Sequence, residues 1–327
     1  MRTTLMGLAL LAIALTVNAG CGCGSDSLWP YGTVRGRTAH TFSTSDQFAV
    51  GSLLNLNHEG EVPDQLELNR YTEPLPFINV AVSGRGTMAR IDTTTGEIVG
   101  EYHTAPDGRG LNPSRTTVDL FGNVWLGNRD EYGYEDTTSP NIHFGLSGEG
   151  TGSVVKIGIV VGGTRGNKEP DGSFTEDPNG GYLQPPFLYS SAVDRDGDGL
   201  IRTSRGLGDV LDWPDVTDGA GDPGEDGDAR VEDAHDECIL IYQRTPDAAA
   251  VRHVSVDADN NVWVGGYPFA QQMFYLLEQN TGAFLDSFDA RDYEGGGYGG
   301  LIDGNGVLWS ASISQDALLR YDIATRS

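Results

Sequence analysis

One ten-residue phrase occurs three times in this 327-residue chain and constrains the fold more than any other feature. Each copy has an aspartate six places before a tryptophan: VDLFGNVWLG (118–127), VDADNNVWVG (256–265) and IDGNGVLWSA (302–311). Trp125 and Trp263 are 138 residues apart, and Trp263 and Trp309 are 46 apart. Because the first interval is three times the second, the sequence predicts a structural repeat of about 46 residues. Asn79, 46 residues before Trp125, is then the equivalent position of the preceding repeat.

A second phrase follows the repeat, as MARIDTTTGEIV (88–99), LLEQNTGAFL (276–285) and LLRYDIATRS (318–327). Apolar and β-branched residues alternate on both sides of a turn sequence, which indicates two antiparallel strands. Helical patterns are nearly absent beyond the N-terminus, and the 46 glycines and 15 prolines interrupt the chain with turns. The sequence therefore predicts an all-β fold, a β-propeller of about six blades (five to seven), each a four-stranded sheet. The repeated tryptophans are predicted to fill the apolar layer between blades.

The first 20 residues have the pattern of a signal peptide, with Arg2 before an apolar stretch from Leu5 to Val17 that is too short to span a bilayer. The sequence Ala19-Gly20-Cys21 resembles a bacterial lipoprotein cleavage box, which makes Cys21 the lipidated residue. The alternative is a cut after Ala19 that releases a soluble product. The expected location is the outer membrane or cell surface, with the lipid as the only membrane attachment, or else the periplasm or the medium.

The remaining chain divides into a tether and a folded domain. Residues 21–46 are rich in Gly, Ser and Thr and are predicted to be a flexible tether. Residues 47–327 are predicted to form the propeller, which has room for about six repeats. The last repeat stops at DIATRS, so either the last blade is truncated because the chain is a fragment, or a strand near Phe48 to Leu56 completes it.

The chain is strongly acidic, with a formal net charge of −26 and only two lysines. This charge excludes a general nucleic-acid binder, because phosphate binding requires clustered Lys and Arg. Residues 171–237 contain 18 acidic residues and four arginines, and so hold more than half of the net charge. We interpret this segment as an acidic insertion in the propeller.

Within the insertion, DRDGDGLIRTSR (194–205) has the spacing of a calcium loop. Alternating carboxylates followed by a glycine turn direct oxygen atoms toward one hard cation, as in an EF-hand. The twelfth position, which requires a glutamate in an EF-hand, is Arg205. The predicted ligands of a structural Ca²⁺ are Asp194, Asp196, Asp198, the Leu200 carbonyl and Asp209, or, in place of Asp209, an acid from residues 212–237. A second acidic run (222–228) either binds another ion or is solvated.

The V-D-x-x-G-N-V-W phrase with its downstream I-D-x-x-T-G resembles bacterial propellers of the streptogramin lyase and NHL-repeat type. This resemblance implies that the residue four places before each aspartate opens onto a central channel, namely Arg115, His253 and Gly299. Lyases of this family place catalytic histidines and glutamates there with a magnesium ion. His253 is a weak candidate for a general base, because it lacks the flanking Pro and Gly of the family and a second histidine.

We interpret the chain as a binding or scaffold module at the cell envelope, expected to be a monomer. Arg115 and His253 favour a polar or anionic small ligand, a glycan or a peptide at the channel mouth. The alternative is a metal-dependent lyase or hydrolase acting at the same place. An enzyme requires His253 and a carboxylate or second histidine from other blades within hydrogen-bond reach of one cavity, and a binding module does not.

Overall fold

The computed structural model describes residues 43–48, 56–58, 63–68, 75–109, 111–131, 151–214, 231–267, 272–293, 295–313 and 317–327. The chain divides into two compact units, residues 1–70 and 71–327. The predicted signal peptide, Cys21 and residues 21–42 of the predicted tether lie outside the described residues. Among the residues described, no helix has the length and apolar character needed to cross a membrane.

In the described residues of the first unit there are one helical turn and two short strands. The turn, α1, spans Ser45–Phe48, and the strands are β1 (Leu56–Asn57) and β2 (Glu67–Leu68), which pair antiparallel. Asp64, between the strands, accepts a hydrogen bond of 2.8 Å from the first amide of α1. Residues 49–55, the main part of the predicted closing strand, lie outside the described residues.

The second unit is almost entirely β-structure. Its strands are β3 (Phe77–Val82), β4 (Thr87–Asp92), β5 (Ile98–His103), β6 (Leu111–Val118), β7 (Val124–Glu131), β8 (Thr151–Ile157), β9 (Val160–Lys168), β10 (Phe174–Glu176), β11 (Tyr182–Ser190), β12 (Ile201–Arg202), β13 (Ile239–Thr245), β14 (His253–Val256), β15 (Val262–Gly265), β16 (Met273–Leu277), β17 (Phe284–Asp289), β18 (Gly299–Ile302), β19 (Val307–Ala311) and β20 (Leu318–Asp322). Short 3-10 turns cover Ser83–Arg85, Val231–Asp233 and Ala290–Tyr293.

These strands form five antiparallel sheets of three or four strands. The first sheet is β3-β4-β5, the second β6-β7-β8-β13, the third β14-β15-β16-β17 and the fourth β18-β19-β20. An inserted sheet has the order β10-β9-β11-β12. The four numbered sheets run up and down in chain order, as propeller blades do. The all-β propeller fold predicted from the sequence is thus confirmed. The described residues form four blade-like sheets, fewer than the five to seven predicted, and two of these have three strands in place of four.

The repeated aspartate shapes the hairpin that opens the second, third and fourth sheets. Asp119 Oδ1 accepts hydrogen bonds from the amides two and four residues later, both at 2.9 Å. Asp257 does the same at 2.9 and 2.8 Å, and Asp303 at 2.8 and 3.1 Å. Each loop also contains one residue with positive φ, namely Gly122, Asn260 or Gly306. The aspartate and the positive-φ residue therefore define the turn, which explains why both recur.

The residues spaced by the repeat occupy the same register in their sheets. Each pairs with a residue one or two places before the end of the next strand. The pairs are Asn79–Arg90, Trp125–Lys156, Trp263–Leu276 and Trp309–Arg320. The three tryptophans, each on the second strand of its sheet, are therefore structurally equivalent, whereas Asn79 lies on the first described strand of its sheet and matches them in its pairing with the next strand.

Two of the tryptophans are completely buried between neighbouring sheets. Trp125 packs with Val254 and other apolar residues of the third sheet, and Trp263 packs with Leu308 and other residues of the fourth. This confirms the predicted role between blades. Trp309, in the fourth sheet, is only partly buried, and its indole nitrogen donates to a carboxylate 3.1 Å away.

The interval between Trp125 and Trp263 does not contain three repeats, which corrects that part of the spacing argument. After Ile157 the chain leaves the second sheet, forms the inserted sheet, and returns at Ile239 as β13, which pairs with β8. The interval is one repeat enlarged by an inserted sheet, and its length matches three periods only by coincidence. The inserted segment includes the acidic range 171–237.

Replacing Trp263 with alanine is expected to lower the free energy of unfolding by about 3–5 kcal/mol, because the lost ring leaves a cavity between two sheets. Trp309→Ala is the matched control, since it occupies the same register but is partly exposed, and its effect should be clearly smaller. Urea unfolding followed by circular dichroism measures both. Equal losses would contradict the packing role of the repeat.

Candidate functional site

The first strands of three sheets lie side by side, with β14 between β6 and β18. They carry the three residues predicted to open onto the channel at the same register: Arg115 opposite Gly127, His253 opposite Gly265 and Gly299 opposite Ala311. Arg115 is exposed and Gly299 is partly exposed, whereas no part of His253 is exposed. Equal register therefore does not give equal access to solvent.

Two arginines and two tyrosines form a cluster beside these positions, which we call the Arg–Tyr cluster: Arg115, Arg252, Tyr267 and Tyr298. The Arg115 guanidinium carbon lies 5.4 Å from the centre of the Tyr298 ring. The Arg252 guanidinium carbon lies 4.6 Å from the same ring and 5.5 Å from the Tyr267 ring. The two rings are 5.4 Å apart and nearly perpendicular. Both guanidiniums are thus attracted to the electron-rich faces of the rings.

Neither arginine of the cluster forms an ion pair with an acidic residue in the part of the chain that the structure describes. In addition, Nε of Arg252 is buried and has no hydrogen-bond partner among the described residues. This is unusual in a chain with a net charge of −26. A planar oxyanion would match the donor geometry of a guanidinium and offset its charge.

His253 is enclosed by polar and aromatic neighbours. Its Nδ1 lies 3.0 Å from the Ser310 hydroxyl and its Nε2 lies 2.7 Å from the Ser255 hydroxyl. Its ring is 5.1 Å from that of Phe274. Burial lowers the pKa of His253 to about 3, because the charged imidazolium would lose its hydration. His253 is therefore a buried, neutral residue, and this placement corrects the expectation that it faces a ligand.

The pH dependence of stability tests this environment. The unfolded chain protonates His253 below about pH 6.5, whereas the folded chain stays neutral down to about pH 3. His253 therefore imposes no penalty above pH 6.5, and it destabilises the fold as the pH falls toward 3, by up to about 1.4 kcal/mol per pH unit. His253→Asn should flatten this part of the stability profile, as measured by urea unfolding between pH 7 and 4. Parallel profiles for the two proteins would contradict the assigned environment.

A second candidate site is the acidic group, formed by Asp194, Asp196 and Glu237. One carboxylate oxygen of each residue lies within 4.8 Å of the other two. Glu237 is buried, and it accepts hydrogen bonds of 2.7 Å from the amides of Arg195 and Arg202. Desolvation raises the pKa of Glu237, and the nearby Asp196 carboxylate raises it further. A divalent cation would relieve this repulsion, and an all-oxygen donor set suits calcium.

The predicted calcium loop itself is a tight turn around one carboxylate. Asp194 accepts hydrogen bonds from the amides of Gly197 and Gly199, each at 2.8 Å, and both glycines have positive φ. Asp198 accepts a hydrogen bond of 2.7 Å from the amide of Leu200, whose side chain is buried. Each carboxylate oxygen bonded in this way retains a second lone pair for a cation.

The other predicted ligands are placed differently. The Lys168 ammonium lies 2.5 Å from Asp198 and 3.4 Å from Asp196. Asp209 pairs with Arg205 and does not belong to the acidic group. The second acidic run, residues 222–228, lies outside the described residues. The structure therefore brings together two of the predicted carboxylates and adds Glu237.

Three residues of the candidate sites were not predicted from the sequence: Arg252, Tyr267 and Tyr298. Two of them carried a usable signal, because Arg252 and Tyr298 immediately precede the predicted positions His253 and Gly299. Glu237 belongs to the run 212–237 from which a completing ligand is expected, but the sequence does not distinguish it from the other acids of that run, since it lies 39 residues beyond Asp198 and meets the loop only through folding.

No protein-family model matches the sequence, and no curated protein matches it. Among solved structures, the chain is similar to the PQQ-bound form of an aldose sugar dehydrogenase from Streptomyces coelicolor. The sequence identity is 13%, the match covers 77% of this chain and 75% of that chain, and the TM-score is 0.23. A similarity this weak supports no conclusion about the site.

Proposed function

We propose that this chain is a binding module of the β-propeller type that holds an organic ligand bearing an oxyanion at the Arg–Tyr cluster. The observation that carries the proposal is the convergence of Arg115 and Arg252 on the Tyr298 ring, with no acidic partner for either arginine among the described residues. Arg252 is partly buried and its Nε has no hydrogen-bond partner among the described residues, so the ring contacts only partly compensate its guanidinium for lost hydration, and a bound anion would stabilise the cluster.

The chemistry of the cluster favours a carboxylate or phosphate attached to a larger group. A guanidinium donates two parallel hydrogen bonds to such an oxyanion. The two tyrosine rings provide apolar faces for the body of the ligand and hydroxyl groups for polar contacts. Acidic saccharides and acidic peptides both carry carboxylates on a larger body, and binding of an oligomer of each class distinguishes them.

Binding of trigalacturonate, triglutamate and inorganic phosphate is to be measured by isothermal titration calorimetry. Arg115→Ala and Arg252→Ala are each expected to weaken binding about tenfold or more, because a hydrogen bond to a charged group is worth about 1.5–3 kcal/mol. Phosphate binding alone would indicate a simple anion site. Binding of one oligomer identifies the body of the ligand.

Arg320→Ala is the matched control for these variants. Like Arg115, Arg320 is exposed and lies over an aromatic ring, 5.9 Å from that of Trp309, but it also has Asp322 at 3.7 Å. Its replacement should leave the affinity unchanged. Failure of all three probes to bind the unmodified protein, or equal losses in all three variants, would overturn the proposal.

We also propose that the acidic group binds a structural calcium ion. Asp194, Asp196 and Glu237 would supply carboxylate oxygens, with Glu237 joining the end of the inserted segment to the loop. The proposal is supported by the close approach of three carboxylates in a segment of high negative charge. A cation there would stabilise the inserted segment, since a ligand that binds only the folded state stabilises it.

Thermal unfolding with calcium and with a chelator tests this. At 100 times its Kd, calcium should stabilise the protein by about 2.7 kcal/mol, a rise in Tm of several degrees. Asp196→Asn should abolish the rise, whereas Asp209→Asn, which loses a comparable contact outside the group, should retain it. A Tm that is indifferent to the chelator would refute the calcium site, and an equal response to magnesium would refute its calcium preference.

The cellular setting is part of the same proposal. Export and attachment through Cys21 are supported by the sequence of residues 1–21, and a monomer at the cell envelope fits a binding role. We also propose that the chain is related to the propellers of the streptogramin lyase and NHL-repeat type. For the lyase alternative, His253 is unsuitable as a general base because it is buried and both ring nitrogens contact serines.

A further inference from the structure

A glycine loop positions Tyr298, and its backbone conformation depends on contacts from neighbouring strands. Gly295, Gly296 and Gly297 have φ values of 137°, 123° and 89°. Only glycine adopts such angles without strain, and glycine also has the greatest freedom in the unfolded chain. The three glycines therefore permit this loop but do not hold it in place.

The loop packs backbone to backbone against the segment that leads to the other tyrosine of the cluster. A Cβ atom on Gly297 would lie 1.9 Å from the carbonyl oxygen of Gly266, the residue before Tyr267. Buried Gln272 donates a hydrogen bond of 3.2 Å to the Tyr267 carbonyl and a longer one, 3.5 Å, to the Gly296 carbonyl. The approach of the two tyrosine rings thus depends on the position of this loop.

Two serines of the fourth sheet and its following segment hold the loop amides. Ser310 accepts a hydrogen bond of 2.8 Å from the Gly297 amide, and Ser312 accepts one of 2.8 Å from the Gly296 amide. Ser310 is completely buried. Loss of its hydroxyl would leave the Gly297 amide without that partner.

Ser310 also connects the loop to the third sheet. Because Ser310 accepts from the Gly297 amide, its own hydrogen is available for Nδ1 of His253, 3.0 Å away, which is closer than the Gly299 carbonyl at 3.4 Å. With Nδ1 as acceptor, the imidazole proton is on Nε2 and donates to the Ser255 hydroxyl. His253 directly follows Arg252 in the chain, and Gly297 directly precedes Tyr298. The hydrogen bonds from His253 to Ser310 and from Ser310 to Gly297 therefore connect the backbone beside Arg252 to the backbone beside Tyr298.

We propose that Ser310, supported by His253, is a positioning residue of the ligand site, because it fixes the loop that carries Tyr298 relative to Arg252. This inference rests on the proposed function. Neither residue needs to touch the ligand. Ser310 acts through the Gly297 amide, and His253 acts by orienting the Ser310 hydroxyl.

The test compares Ser310→Ala with Ser255→Ala. Both variants remove a buried hydroxyl that contacts His253, but only Ser310 also contacts the glycine loop. Ser310→Ala is expected to weaken binding of trigalacturonate or triglutamate three- to tenfold and to speed amide hydrogen exchange of residues 295–299. Ser255→Ala should leave the affinity within twofold of the unmodified protein and leave exchange at the loop unchanged, even if both variants lose equal thermal stability.

Two results would overturn the inference: unchanged affinity and exchange in Ser310→Ala, or equal losses in the two serine variants. Its failure is distinguishable from failure of the proposed function. If Arg115→Ala and Arg252→Ala weaken binding but Ser310→Ala does not, only the positioning role fails. If the probes do not bind at all, the proposed function fails, and exchange at residues 295–299 in the two serine variants still decides whether Ser310 holds the loop.

Discussion

An aspartate side chain bonded to two backbone amides of its own turn is the interaction on which this architecture depends. In the copies at Asp119, Asp257 and Asp303, the carboxylate fixes a short loop between the first and second strands of a sheet. A fixed loop fixes the register, because a shift of one residue would turn every side chain of the hairpin to the opposite face. The tryptophan six residues later therefore occupies the same position on the second strand of each sheet. Burial of Trp125 and Trp263 against the next sheet then sets the sheets side by side.

This stacking also determines which side chains are accessible at the first strands. Because β14 lies between β6 and β18, its first residue, His253, is covered by the neighbouring Ser310 and by Phe274 of its own sheet. Arg115, at the same register, is instead exposed, and its guanidinium reaches the backbone of Gly299 on the fourth sheet. A Cβ atom at position 299 would lie 3.6 Å from that guanidinium, an ordinary van der Waals distance, so Arg115 packs directly beside the Gly299 backbone.

The sequence predicts the fold better than the site, and the reason lies in the range of the interactions involved. The hairpin and the tryptophan register are local, so a ten-residue phrase contains them, and counting back 46 residues from Trp125 finds Asn79. The inserted sheet contains no such phrase, so the sequence alone does not distinguish the 138-residue interval between Trp125 and Trp263 from three repeats. Arg115 and His253 were both selected by the family resemblance, which cannot show that neighbouring sheets bury His253 and leave Arg115 exposed. Glu237 meets Asp194 only because the inserted segment returns to the second sheet, and such long-range closure is not readable from spacing.

The two candidate sites differ in how far the protein already neutralises their charges. In the acidic group, backbone amides bond to Asp194 and Glu237, and Lys168 contacts Asp196, so much of the negative charge has a partner within the described residues. A cation there would add to an arrangement that is already partly satisfied. In the Arg–Tyr cluster, neither positive charge has a carboxylate partner among the described residues, and the ring contacts of the exposed Arg115 and the partly buried Arg252 are of a kind that contributes about 0.5–1 kcal/mol at exposed positions. The guanidinium groups therefore have more to gain from a ligand than the carboxylates do, and this difference makes the arginines the stronger basis for a binding function.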